Sequence, residues 1–182
     1  RFYELAETFL RSMLLPTQHT EEDLRRFVRD NPAPADDSER DVVARAAGGY
    51  SMQLPNDRMR PGDWPLTTLD ITSGAVHALS LCWAQRVTST ADACRVNLLF
   101  DCDTDDVSIT SGLPLDGRLH FRMKTAKTLL VRLPPWVDPA TLKLVVSGVS
   151  QPVTRTDDVV TIAPNGPGTE GELTFAVPFR TE

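Results

Sequence analysis

Apolar residues recur along this chain with two different periods, and the change from one to the other divides it. Near the start, Phe2, Leu5, Ala6, Phe9, Leu10, Met13 and Leu14 fall at spacings of three and four, with Arg1, Glu4, Glu7, Thr8 and Arg11 between them. That pattern predicts one amphipathic helix ended by Pro16. Two short helices are predicted next, because Thr20 and Ser38 each precede a carboxylate by three residues, at Asp23 and Asp41, as a capping box requires. Gly48-Gly49 would stop the second. Between them, Asn31-Pro32-Ala33-Pro34-Ala35-Asp36-Asp37 reads as a surface linker. A turn-rich loop over 49–69, holding Pro55, Pro61, Gly62 and Pro65, leads to a second long helix over 70–88. There Ile71, Ala75, Ala78, Leu79, Cys82, Trp83 and Val87 form an apolar stripe, with Asp70 or Thr72 as cap and Trp83 in the core.

After Ala93 the period becomes two. Strands are predicted over 95–100, 106–110, 118–123, 128–132, 141–147, 153–156, 159–162 and 172–179. Their separators are turn chemistry, such as Asp116-Gly117, Ser147-Gly148 and Asp157-Asp158. Many short strands with little helix between them favour an antiparallel β-sandwich. The expected class is therefore α+β, with a helical segment over 1–91 and a sandwich domain over 92–182.

Charge narrows the partners. With 19 basic against 25 acidic side chains the chain carries a net charge of −6, and no basic cluster stands out. Nucleic acid and anionic membrane surfaces are excluded as expectations, because phosphate binding relies on clustered Lys and Arg. No apolar run approaches the roughly 20 residues needed to span a bilayer. The three cysteines, Cys82, Cys94 and Cys102, show no C-x-x-C spacing and read as small buried hydrophobes. A reducing compartment is preferred, and with it the cytoplasm. The chain opens on Arg1 inside helical sequence, which suggests a missing upstream part.

Sequence-readable chemistry is sparse. Asp101, Asp103 and Asp105 have the one, three, five spacing that begins a calcium loop, but Asp106 stands where Gly is needed and Gly112 where Glu is needed. An acidic turn is the expectation. His19, His77 and His120 form no metal-binding pair, and no nucleophile elbow, phosphate loop or dinucleotide fingerprint is present. Trp64 and Trp136 lie in loops, where an indole can either stack on a sugar face or plug the edge of a domain.

Three stretches resemble glycoside hydrolase family 127, whose founding activity is β-L-arabinofuranosidase. RFYELAETFLRSMLLPTQ is similar to a late barrel helix of that family, SGAVHALSLCWAQRV to its last barrel helix, and VNLLFD with LPLDGRLHFRMKTAKTLLVRLPPWVD to the first C-terminal strands. The resemblance implies the last helices of an α/α barrel followed by a sandwich, as the C-terminal portion of a glycan-active protein. It implies carbohydrate and an upstream catalytic barrel as partners. The family's zinc-bound cysteine pair precedes the last barrel helix, and here that tract reads Leu69-Asp70-Ile71. A thiolate is both nucleophile and soft ligand in that chemistry, so no cofactor is expected in this chain and zinc is not expected in its parent. Asp70 occupies the matching neighbourhood, either as an N-cap or as a surviving active-site acid. Tyr50 resembles a substrate-contacting tyrosine, and Asn56, Asp57 and Trp64 share its loop. The chain alone is expected to be inactive. The other reading is a non-catalytic sandwich module that binds carbohydrate or stabilises a neighbouring domain.

Overall fold

A computed structural model describes residues 2–30, 42–50, 69–163 and 166–178. The chain divides into two compact units, Arg1–Cys82 and Trp83–Glu182.

The first unit begins with helix α1, Phe2–Phe9, which stops short of the predicted length. Residues Leu10–Leu14 widen into a π-helical turn, and Leu15–Thr17 tighten into a 3-10 turn. Two local causes are visible: the Ser12 hydroxyl donates back to the carbonyl of Thr8, and Pro16 lacks the N–H an α-helix would need. Of the predicted apolar stripe, Leu10 and Leu14 are buried, whereas Phe2 is 79% and Leu5 65% exposed. Helix α2, Glu21–Asp30, starts on the anticipated box: Asp23 N–H donates to Thr20 Oγ1 at 3.1 Å, and that hydroxyl donates to Asp23 Oδ2 at 2.6 Å. Helix α3, Val42–Ala46, closes at Gly48, whose φ of +79° is the left-handed conformation that glycine adopts without steric cost. Ser38 and Asp41, its anticipated capping residues, lie outside the described residues, as does the 31–37 linker. Helix α4, Leu69–Gln85, then carries the chain to the second unit.

Among its described residues the second unit holds eleven strands in two sheets: β1 Val87–Ser89, β2 Ala93–Val96, β3 Cys102–Asp103, β4 Val107–Ser111, β5 Arg118–Met123, β6 Thr128–Arg132, β7 Lys143–Val146, β8 Val149–Gln151, β9 Thr154–Thr156, β10 Val159–Ile162 and β11 Glu170–Thr174. One sheet has the order β1-β2-β6-β10-β9 and the other β3-β4-β5-β11-β7-β8. Alternation along each strand sends one side chain in two between the sheets. Cys94, Val96, Leu129, Val131, Val160 and Ile162 from one sheet meet Val107, Ile109, Leu119, Phe121, Met123, Leu144, Val146 and Leu173 from the other in a single buried cluster. The class is α+β with a sandwich-like arrangement of two sheets.

Three details differ from the sequence pattern. The strand expected over 95–100 ends at Val96, and its pairing with β1 stops just beyond, where Asn97 N–H and Leu98 N–H both donate to the Arg86 carbonyl, at 2.8 and 3.3 Å. The short strands β1, β3 and β8 escaped periodicity, being two or three residues long. Finally, β2 and β6 pair in parallel, with Val96 opposite Val131, while every other pairing is antiparallel.

Candidate functional site

The residues singled out by resemblance begin at Tyr50. His19 N–H donates to the carbonyl of Gly49 at 2.8 Å, and Gly48 N–H donates to that of His19 at 2.9 Å. Gln18 and Tyr50 form a single antiparallel bridge, and Gln18 Nε2 donates to the Gly48 carbonyl at 3.2 Å. These bonds pin the turn after α3 against the segment before α2. His19 and Tyr50 are buried, at 1% and 2% exposure, and burial pushes the Tyr50 phenol above its ordinary pKa. The phenol is thus a neutral group at neutral pH, able to donate and accept but not to act as a base.

Tyr50 N–H donates to Thr72 Oγ1 at 3.2 Å. This brings Tyr50 to the first turn of α4, the turn that contains Asp70. Because α4 begins at Leu69, Thr72 is an acceptor for Tyr50 rather than the helix cap, and Asp70 sits within the first turn. A carboxylate in a first turn is favoured by the positive end of the helix dipole. The side chain of Asp70, and Asn56, Asp57 and Trp64 entirely, lie outside the described residues.

The acidic stretch after β2 is used locally. Asp101 Oδ1 accepts from Ser111 N–H at 2.7 Å, and Asp103 accepts from Ser108 and from Lys124 at 2.7 Å. Asp106 accepts from Ser89 at 2.5 Å, Thr125 at 2.9 Å and Lys127 at 3.0 Å. Its hydrogen bonds, that from Ser89 first, hold its carboxyl below the usual aspartate range. The three carboxylates face different donors, and among the described residues no cluster of three metal-ligating side chains occurs.

Sequence reasoning missed a polar hub where α4 runs into the sandwich. Asn97, 1% exposed, donates from Nδ2 to the Gln85 carbonyl at 2.9 Å and to Thr88 Oγ1 at 3.1 Å. Its Oδ1 accepts from Arg95 Nε at 3.1 Å, and its backbone carbonyl accepts from Arg132 Nε at 2.5 Å. Arg132 is itself only 1% exposed. The one signal was an arginine inside the otherwise apolar run Leu129-Leu130-Val131-Arg132-Leu133. Trp83 also departs from expectation: it is 60% exposed rather than core, with the Arg86 guanidinium 3.7 Å from its ring centroid. Trp136 is 40% exposed and packs on Phe175, their centroids 6.0 Å apart, as an edge plug would. Cys94 and Cys102 are buried, and burial raises both thiols above the usual range.

No protein-family model matches the chain, and no curated protein matches it. Similar solved structures include Ara127N-Se, a GH127 β-L-arabinofuranosidase from Geobacillus stearothermophilus T6, with 18% identity over 65% of this chain and a TM-score of 0.48. A protein described as a glycoside hydrolase matches 64% of the chain at 16% identity and a TM-score of 0.45. A further GH127 β-arabinofuranosidase matches 62% at 16% identity and a TM-score of 0.47. The chain spans 20%, 24% and 22% of the length of these three proteins.

Proposed function

We propose that this chain is the C-terminal portion of a glycoside hydrolase family 127-like protein that acts on glycans, its sandwich following the last helices of an α/α barrel. The observation that carries the reading is the match of three separate stretches, in family order, to two barrel helices and the first strands of the sandwich. The exposed apolar residues Phe2, Leu5 and Phe9 of α1 support it, because a barrel helix needs a neighbouring helix on that stripe.

On this reading the chain alone does not hydrolyse glycosides. Carboxylate-based glycoside hydrolysis needs an acid and a second carboxylate as base or nucleophile. This chain offers Asp70 and, in the 49–69 loop, Asp57, and the remaining machinery lies upstream. Tyr50, Asn56 and Trp64 are proposed to contact the sugar. The longer protein should cleave aryl β-L-arabinofuranosides or related aryl glycosides, and Asp70→Asn should lower kcat by 100-fold or more with little change in thermal midpoint. Full activity in that variant would remove Asp70 from the chemistry, and turnover by the 182-residue chain alone would overturn the division of labour.

A further inference from the structure

We propose that the outer face of the sheet β1-β2-β6-β10-β9 is a docking surface, covered in the longer protein by an apolar helix face that carries a carboxylate for Arg95. The inference rests on the reading above that an upstream helical barrel belongs to the same protein, and names the side of the sandwich which that barrel occupies.

The two sheets differ on their outer faces. In β5, Leu119, Phe121 and Met123 enter the core while Arg118, His120 and Arg122 are exposed in strict alternation. Arg118 and Arg122 reach Glu172 and Glu170 of β11 at 3.5 and 3.6 Å, a charged ladder of the kind that faces water. The sheet β1-β2-β6-β10-β9 has no such ladder. Pairing aligns Thr88, Arg95, Leu130, Thr161 and Thr154 in one row across its five strands, on the side away from the core residues Val96, Val131 and Val160. All but Thr154 are half-buried. Among the described residues, no outward position of these five strands holds a carboxylate. The central strand β6 reads Leu129-Leu130-Val131, apolar on both faces, as strands do when neither side of a sheet is left to solvent.

One corner of this face is already closed. Arg132 takes an outward position opposite Val159, yet it is 1% exposed, as are Asn97 and Leu98 beside it. Leu98 is absent from the inter-sheet cluster, so a second buried layer begins outside the core. The row is continuous with that corner, because Asn97 Nδ2 donates to Thr88 Oγ1 and Asn97 Oδ1 accepts from Arg95 Nε, both at 3.1 Å.

Arg95 sets the chemistry of the occupant. Among the described residues no carboxylate pairs with it, and covering a guanidinium without a counter-charge is costly. A helix lying over Leu130 and Thr161 must therefore bring an acid within reach of Arg95. Threonine methyls and one leucine make a surface of low relief, on which a helix packs as the next layer. A second copy of the same face would supply arginine and no acid.

The test is maleimide labelling of Leu130→Cys and Val145→Cys, on the outer faces of the two sheets, read at each site by peptide mass in the longer protein and in the 182-residue chain. Leu130→Cys is expected to react about tenfold or more slowly in the longer protein, and Val145→Cys at the same rate in both. Arg95→Glu should lower the thermal midpoint of the longer protein by several degrees more than that of the 182-residue chain, with Arg95→Lys close to the parent. Equal rates at Leu130→Cys, or protection of Val145→Cys in its place, overturn the docking surface. Protection that appears in the 182-residue chain and grows with its concentration assigns the face to a second copy and overturns the barrel as occupant. An equal loss of midpoint in both proteins on Arg95→Glu overturns the carboxylate. Labelling is independent of turnover, so a longer protein that is inactive on aryl arabinofuranosides but protects Leu130→Cys removes the glycosidase reading and leaves this surface standing, and an active one without protection does the reverse.

Discussion

Gly171, the second residue of β11, is a position where a single methyl group should do heavy damage. A Cβ there would stand 2.3 Å from Phe121 Cζ, 2.8 Å from Phe121 Cε1 and 2.7 Å from the Val145 carbonyl oxygen. Carbon atoms in contact sit at about 3.5–4.0 Å, so the ring would have to retreat by more than 1 Å. It has nowhere to go: Phe121 is 0% exposed and sits inside the cluster that joins the two sheets. The carbonyl belongs to β7, which pairs directly with β11, so that side can yield only by opening the ladder. Overpacking of this kind costs about 1–3 kcal/mol, and a backbone atom as second obstacle places Gly171→Ala at the upper end. Less glycine flexibility in the unfolded chain returns about 0.5 kcal/mol, which leaves roughly 2–3 kcal/mol. With a urea m-value of about 1–3 kcal/mol/M, the midpoint followed by far-UV circular dichroism should fall by about 1 M or more. Phe121→Leu removes the outer ring atoms, so the double variant should cost about 1–2 kcal/mol less than the two single costs added together. An unchanged midpoint in Gly171→Ala, or strictly additive costs, would refute the packing argument.

Three further outcomes follow from the same structure. Asn97→Ala deletes two donated bonds and one accepted bond, one of them to the Gln85 carbonyl, so it should cost about 2–4 kcal/mol, read as a lower unfolding midpoint. Asp106 has a lowered native pKa, chiefly through Ser89. Its contribution to stability is therefore present above the unfolded aspartate value of about 4 and lost as pH falls through the native one, and Asp106→Asn should flatten the acid limb of a stability-against-pH curve. Trp136→Ala removes the ring against Phe175 and should lower the unfolding midpoint, and an unchanged midpoint would show that this ring does not hold the edge of the sandwich.

What the sequence disclosed and what it hid have physical causes. Strands such as β5 were legible because Leu119, Phe121 and Met123 alternate inward with Arg118, His120 and Arg122 outward, a pattern generated by the pleat itself. The Thr20–Asp23 box was legible because it is local. The edge strand β8, Val149–Gln151, was not, since it is exposed throughout and carries no alternation. The parallel pairing of β2 with β6 leaves no local trace, because either direction buries the same Val96 and Val131. Trp83 was misread because an apolar stripe on a helix records that something covers it in some context, not that this chain does. The candidate site was half legible: Tyr50 and the first turn of α4 do meet, yet the backbone bonds that hold the turn at Gly48–Tyr50 run to Gln18 and His19, which no spacing rule connects to it.

The parallel pair has a further consequence for how the sandwich forms. β2 and β6 lie next to each other in one sheet, but β3, β4 and β5 of the other sheet come between them in the chain. No tight turn can bring them together, so their register is set only after the chain has closed a long loop, whose entropy must be lost before the contact forms. Folding should accordingly be slow, in the millisecond-to-second range of domains rich in non-local pairing, with the β4–β5 and β7–β8 hairpins forming before the central seam closes. Until it does, Cys94, Val96, Leu129 and Val131 are all exposed at once. The period of greatest aggregation risk in the life of this domain is thus set by one strand pairing, not by overall hydrophobicity.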